Sequence, residues 1–474
     1  MKDNRTSVKR SLLVSAIALT LTAALLIGST FAWFTSTAST GVSKVEAGKL
    51  KVTLLNGDKE LSSTDVLTWQ KAEGQTGTAL WEPGCTYNLE PITIKNTGSL
   101  ALKYKIVITG IKGDADLNKV IDWNVNDTAL DADHSLAVGE SKDLTISGHM
   151  QENADDNYQG KTIDGISITV VATQDTVEYD SNGNQYDKDA EYPISVTTGD
   201  ELQAIVSDAT APVNIVLAND ITTNNFVIPA DKDVTLDLNG RTVKNDESHT
   251  ILNKGHLTLT DSSADKSGQI ISCKADTAAL RNGDNAVCVV ESGTISRDGA
   301  NGNTWHTVEN FGTMTFNGGK VIADDGKSFA IVNGWNYINP GEQKATMTIN
   351  NIEMIAGPNG FKNCAGGTLT MNDGTLHCTG YWGLSNDSTG VATINGGKII
   401  SDKYIAISDG GAKMEINGGT FTGPQGSLYV QDYAQDTVVK GGSYQNETVD
   451  FMQRCCPKGY TAKLQGGMVV VSKD

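Results

Sequence analysis

Between Val290 and Tyr444 one short unit recurs: a large apolar residue, an asparagine or its stand-in, two small bend residues, and a second large apolar residue four positions after the asparagine. It reads Ile394-Asn395-Gly-Gly and Ile416-Asn417-Gly-Gly, with relatives at Phe316-Asn317, Ile349-Asn350, Met371-Asn372 and Val439-Lys440, and Val290-Glu291 before them. From Asn350 onward the bend positions are 22, 23, 22 and 23 residues apart; the two earlier gaps, 26 and 33, are longer, and the second holds WNYINPGEQ. A strand-and-bend unit of this length cannot bury its apolar face alone. Stacking successive units into a coiled parallel solenoid does bury it.

Two columns follow from aligning the units. One residue before each bend stand Val290, Phe316, Ile349, Met371, Ile394, Ile416 and Val439; four after stand Ile295, Val321, Met354, Leu376, Ile399, Phe421 and Tyr444. Piled at ~4.8 Å per coil, they predict two ridges of core, each buried member contributing on the order of 1.5–3 kcal/mol. The asparagine and glycines between them form the bend, where positive φ is needed. A third series, Asn253, Asn282, Asn310, Asn333, Asn363, Asn386 and Asp409, predicts a ladder in which each side-chain amide bonds its neighbours above and below. This half, from Asp233 to Gln445, resembles the right-handed parallel β-helix of pectate-lyase-like and adhesin-like surface proteins, an architecture shared by lyases, glycosidases and non-catalytic adhesins.

Upstream the periodicity changes. Leu50, Val52 and Leu54, then Tyr104, Ile106 and Ile108, then Ile166, Ile168 and Val170 alternate with polar residues, the pattern of half-buried strands in an antiparallel sandwich. Pro83-Gly84 and Asn96-Thr97-Gly98-Ser99 read as turns, the latter as a hairpin bend. The first residues carry Lys2, Arg5, Lys9 and Arg10, then an uncharged apolar run from Leu12 to Ile27 and the small-residue site Thr30-Phe31-Ala32. That is the layout of a cleaved export signal; the alternative, an uncleaved membrane anchor, has a run short for a bilayer span. The expected organisation is signal 1–32, sandwich 33–178, polar linker 179–192, β-helix 193–450 and closing cap 451–474. Thr198-Gly-Asp-Glu201 before Leu202, Ile205 and Val206 matches a capping box, so a short helix is expected to cover the first coil.

STFAWFTSTAS at the signal junction, EAGKLKVTL after it, WEPGCTYNLEPITIKNTGSLALKYKIVITG and NYQGKTIDGISITVVATQ together resemble the TasA and camelysin family of Gram-positive surface and biofilm-fibre proteins, over residues 11–178. The resemblance implies a jelly-roll sandwich, export through a dedicated signal peptidase, localisation at the cell surface or outside the cell, and self-association through the sandwich. In that growth mode Trp33 to Leu55, with Trp33, Leu50, Val52 and Leu54 as its apolar anchors, would complete a neighbour's sheet; the alternative is that the segment pairs within its own domain. Camelysin has been described as a metallopeptidase, but no H-E-x-x-H occurs, and His134 and His149 have no paired glutamate at helical spacing, so no metal site is expected.

The chemistry of the second half is sparse. The 56 acidic residues against 37 basic, for a net charge of −19, leave no basic face for nucleic acid. The seven cysteines form no metal-binding or disulfide framework and read mostly as small core residues. Asp324, Asp325, Asp373, Asp387 and Asp402 sit where turns favour aspartate; a calcium or catalytic cluster among them is the alternative, and Arg241, Arg281, Arg297 and Arg454 lie in no recognised lyase motif. No catalytic residue and no other cofactor is assigned. Trp305, Tyr381 and Tyr404 each fall five residues before a ladder position, with Trp382 adjacent, so they are expected to line one edge. Rings in a row bind sugar faces, although they also pack under loops. The expectation is a non-enzymatic displayed rod touching glycans or host surfaces, with a polysaccharide lyase or glycoside hydrolase as the second reading and a metallopeptidase as the third.

Overall fold

The computed structural model describes residues 50–474 apart from 62–64, 66, 72–78, 110–111, 127, 131, 165–166, 176–191, 225, 299–304, 324–327 and 335–343. Trp33, the signal, Ile166, Asp324 and Asp325 therefore lie outside the described residues. The protein is all-β, with antiparallel sheets first and a parallel β-solenoid of the right-handed type and about ten turns after them.

In the N-terminal part the strands order as Ser141–Leu144, Ile92–Asn96, Val52–Asn56, Lys59–Glu60 in one sheet and Thr86–Asn88, Ile146–Met150, Ile121–Val125, Thr128–Ala129 in another. A third runs Ser167–Gln174, Leu102–Thr109, His134–Leu136. Alternation does what it must: Ile92 and Ile94 on one strand and Leu102, Tyr104 and Ile106 on another turn into a core shared with Val125, Leu136 and Leu144. Asn96-Thr97-Gly98-Ser99 is not a hairpin bend, because the strands it joins belong to different sheets. Asn96 makes the corner instead: fully buried, its Oδ1 accepts from Gly98 N (3.0 Å) and its Nδ2 donates to Leu100 O (2.8 Å) and Leu136 O (3.2 Å).

The solenoid has three faces. The first is eleven strands from Ile194–Val196 to Thr437–Val439, the second twelve beginning at Ile221–Thr222, and the third nine from Phe226–Ile228 to Leu428–Val430. Each coil runs along the first face, bends at Asn-Gly-Gly, runs along the second, loops to the third and returns past the ladder asparagine. Both expected columns are in direct register and fully buried. Phe316 pairs with Ile349, Ile349 with Met371, Met371 with Ile394 and Ile394 with Ile416 on the first face, while Leu376, Ile399 and Phe421 align on the second. The third face adds a further inward column, Leu280, Val308, Ile331, Phe361, Leu384, Ile407, which closes the triangular core.

The ladder forms as expected. Asn253, Asn282, Asn310, Asn333, Asn363 and Asn386 each donate Nδ2 to the Oδ1 of the next member, the last onto Asp409, at 2.7–2.8 Å and with no side chain exposed. The bend asparagines build a second, exposed ladder: Asn417, Asn395, Asn372, Asn350 and Asn317 donate in turn at 2.8–3.0 Å and end on Glu291. Stacking at the inter-strand spacing places each amide within reach of its equivalent.

Each end carries a helix, and the far end a hairpin as well. The helix Gly199–Asp208 starts where the capping box placed it, with Thr198 Oγ1 accepting from Glu201 N (3.2 Å) and Glu201 Oε2 from Thr197 N (2.8 Å). It buries Leu202 and Val206, and Gln203 bonds both Val227 N (2.8 Å) and Val227 O (3.0 Å), serving the open edge of the third face as a neighbouring strand would. At the far end the helix Val449–Cys455 buries Met452, and the hairpin Tyr460–Gln465 with Met468–Lys473 pairs antiparallel onto Gly442–Gln445. All seven cysteines are free. Cys288, Cys364 and Cys378 are buried; Cys85, Cys455 and Cys456 are half-buried and pack against the cores, and Cys273 is half-buried.

Candidate binding site

The aromatic residues expected on one edge separate into two groups, for a reason visible in the register. Asn310, Asn333, Asn363, Asn386 and Asp409 align coil by coil, so the positions five residues earlier are Trp305, Ser328, Pro358, Tyr381 and Tyr404. Two small residues interrupt the row.

Tyr381, Trp382 and Tyr404 form a compact cluster on adjacent coils. Ring centroids are 6.0 Å apart for Tyr381 and Trp382, and 5.9 Å from Tyr404 to each, nearly edge-on at 81° and 74°. Edge-to-face contact satisfies the ring quadrupoles. Tyr381 is 54% exposed, while Trp382 and Tyr404 are half-buried. The backbone beneath is pinned: Tyr381 N donates to Pro358 O (2.6 Å), Gly360 N to Trp382 O (3.0 Å), and Ser401 Oγ accepts from Tyr404 N (3.0 Å). The indole Nε1 of Trp382 is covered and has no acceptor among the described residues, an uncommon state for a buried donor.

Trp305 stands three coils away. Its ring lies 4.8 Å from that of His306, and its Nε1 donates to Glu309 Oε1 (2.7 Å), whose other oxygen accepts from Arg281 (2.9 Å). Burial pushes the Glu309 carboxyl above its ordinary value, opposed by the Arg281 guanidinium and the indole N–H. Glu309 and Arg281 each precede a ladder asparagine by one residue, on the outward side of the third face. Aligning the sequence on the ladder shows that outward position; the bend motif alone does not.

The remaining expected positions are accounted for singly. Asp402 pairs with His377 (2.9 Å), Asp387 with Lys362 (3.4 Å), and Asp373 accepts from Gly374 N (2.8 Å). Arg297 binds backbone carbonyls of Trp305, Ala323 and Ser328. Among the described residues no three His, Cys, Asp or Glu side chains converge as metal ligands. His134 stacks on Tyr104 (5.2 Å) and His149 bonds Thr86 Oγ1 (2.8 Å), in different sheets. Val52 and Leu54 belong to a strand of their own domain, paired antiparallel with Ile92–Asn96, and Leu50 packs against the same core. Exchange into a neighbour would require that strand to leave its own sheet.

Comparisons with family descriptions, with curated proteins and with solved structures find no match to this chain.

Proposed function

We propose that this is a secreted surface or extracellular-matrix protein of a Gram-positive bacterium. In this reading its N-terminal part is a TasA- and camelysin-like jelly-roll module for assembly, and its solenoid is a stiff shaft that displays a glycan-binding patch. The observation that carries the reading is the Tyr381–Trp382–Tyr404 cluster, three rings held at the surface of a ladder-locked scaffold with Tyr381 open to solvent. Rings fixed in this way bind the apolar faces of sugars at little entropic cost. The excess of acidic groups favours neutral polysaccharide over uronate-rich chains. Export is supported by the basic, apolar and small-residue order of residues 1–32.

The test is a glycan array, followed by affinity measurement on the selected neutral oligosaccharide, with the mature chain. Binding should weaken about tenfold in Tyr381→Ala and again in Tyr404→Ala, corresponding to ~1 kcal/mol or slightly more per ring. No glycan bound by the mature chain, or unchanged affinity in both variants, removes the reading. New reducing ends or unsaturated products on incubation would favour the polysaccharide-degrading alternative.

A further inference from the structure

The outward side of the first face carries a pattern that neither the bends nor the ladder require. The strands Thr313–Phe316, Ala345–Ile349 and Gly367–Met371 present Thr-x-Thr to solvent, Val287–Val290 presents Val-x-Val, and Val391–Ile394 presents Val-x-Thr. The residue between each pair points into the core and is buried. Registers place these positions directly above one another, as in Thr315, Thr348, Thr370 and Thr393. Five consecutive coils therefore show two ranks of β-branched side chains, ten positions with no charge among them, in a chain where 20% of residues are charged. Charge returns on both sides, with Asp233 before the strip and Lys413 and Glu415 after it.

We infer that this strip is a self-association surface, on which a second copy of the chain seats its own first face. Three considerations select a second copy. A parallel sheet is ordinarily covered on both faces, and β-branched side chains interdigitate when two sheets pack about 10 Å apart. Two chains of net charge −19 repel each other, so close approach is least costly at an uncharged strip. The ranks repeat at ~4.8 Å across strands and ~6.6 Å along them, a lattice that another copy of the same face reproduces. The strip measures roughly 25 Å by 10 Å, on the order of 250 Å² per copy. A stable complex needs about 800 Å² per partner. The pairing is accordingly weak between free molecules and is reinforced where many copies are held side by side.

Sedimentation of the mature chain over rising concentration, at low and at high salt, tests this. The average mass should rise with concentration, and rise further in salt, which screens the mutual repulsion. The double variant Thr348→Lys/Thr370→Lys should weaken association at least tenfold, while Ile355→Lys on the second face should leave it unchanged. Should the inner pair lower the melting temperature, Thr346→Lys/Thr368→Lys on the exposed rank gives the same test without touching half-buried positions. A chain that stays monomeric throughout, or association indifferent to both lysine pairs, overturns the inference; the latter result would locate self-association elsewhere in the chain.

Discussion

Each rung of the buried ladder passes a donor forward, so the last member must be able to accept without donating. Asp409 meets that need: its Oδ1 accepts from Asn386 and from Gly411 N, and its Oδ2 from Thr437 Oγ1. The bend ladder runs the other way and ends on a carboxylate too, that of Glu291. Aligned amide dipoles present their positive ends to both groups, as a helix N-terminus does to an anion. The direction of the first ladder was hidden in the sequence, but its end was readable as the one aspartate in a run of asparagines. His306 was not readable at all, because its burial depends on Ser328 and Phe329 of the next coil, far away in the sequence. At 5% exposure, its imidazole is held down to about 4 by burial, with Arg297 and Lys362 nearby acting in the same direction. Between the ordinary value of 6.5 and about 4, the unfolded chain binds a proton that the native chain does not. Stability conferred by the neutral ring is therefore present above that window and lost as pH falls through it. Urea unfolding at pH 7 and 4.5 should show the wild type losing about 2 kcal/mol more than His306→Gln. The raised carboxyls of Glu309 and Asp409 act in the opposite sense, but equally in both proteins. Equal losses would contradict the burial of this ring.

At the scale of the element, the two bend glycines have different work. The second of each pair takes positive φ, +87° at Gly397 and +114° at Gly419. The first does not, and is glycine because a Cβ would meet a carbonyl of the preceding coil, at 2.6 Å from Asn395 O for Gly418 and 2.5 Å from Asn372 O for Gly396. The repeat announced the bend but not this division, since close approach between coils has no local signature. Gly418→Ala should accordingly lower unfolding stability by about 2–3 kcal/mol, as inter-coil overpacking does. Gly466→Ala, at φ +58° with nothing within 4 Å of the added atom, should cost only about 1 kcal/mol. Chemical denaturation of the two variants decides, and a reversed order would contradict the stacking. The third face escaped the bend-centred alignment for a related reason. The loop leading to it varies in length, so Leu280, Val308, Ile331 and Phe361 keep no fixed distance from the bends, although each lies two residues before a ladder asparagine. Trp305 is separated from the tyrosine cluster by Ser328 and Pro358, which hold the same position on the two coils between.

Over the whole molecule, the apolar columns of the three faces and two amide ladders bind successive coils, while the capping helix and the terminal hairpin cover the ends of particular sheets. The antiparallel part was legible as alternation, and its corner at Asn96 was misread because a buried side chain, rather than a hairpin, turns the chain. The aromatic cluster was legible only in part, since coil register decides which rings meet. Contact between the two parts begins at Tyr192, whose ring lies under Lys103 (5.2 Å) and Lys105 (4.9 Å). All of this depends on equivalent side chains from successive coils lying directly over one another. Selective isoleucine methyl labelling and NOE spectroscopy of the mature chain measure that contact. A strong Ile394–Ile416 methyl cross-peak is predicted, because the two residues are paired neighbours in the first face and fully buried. No cross-peak between two assigned and well-resolved methyl groups would contradict the solenoid.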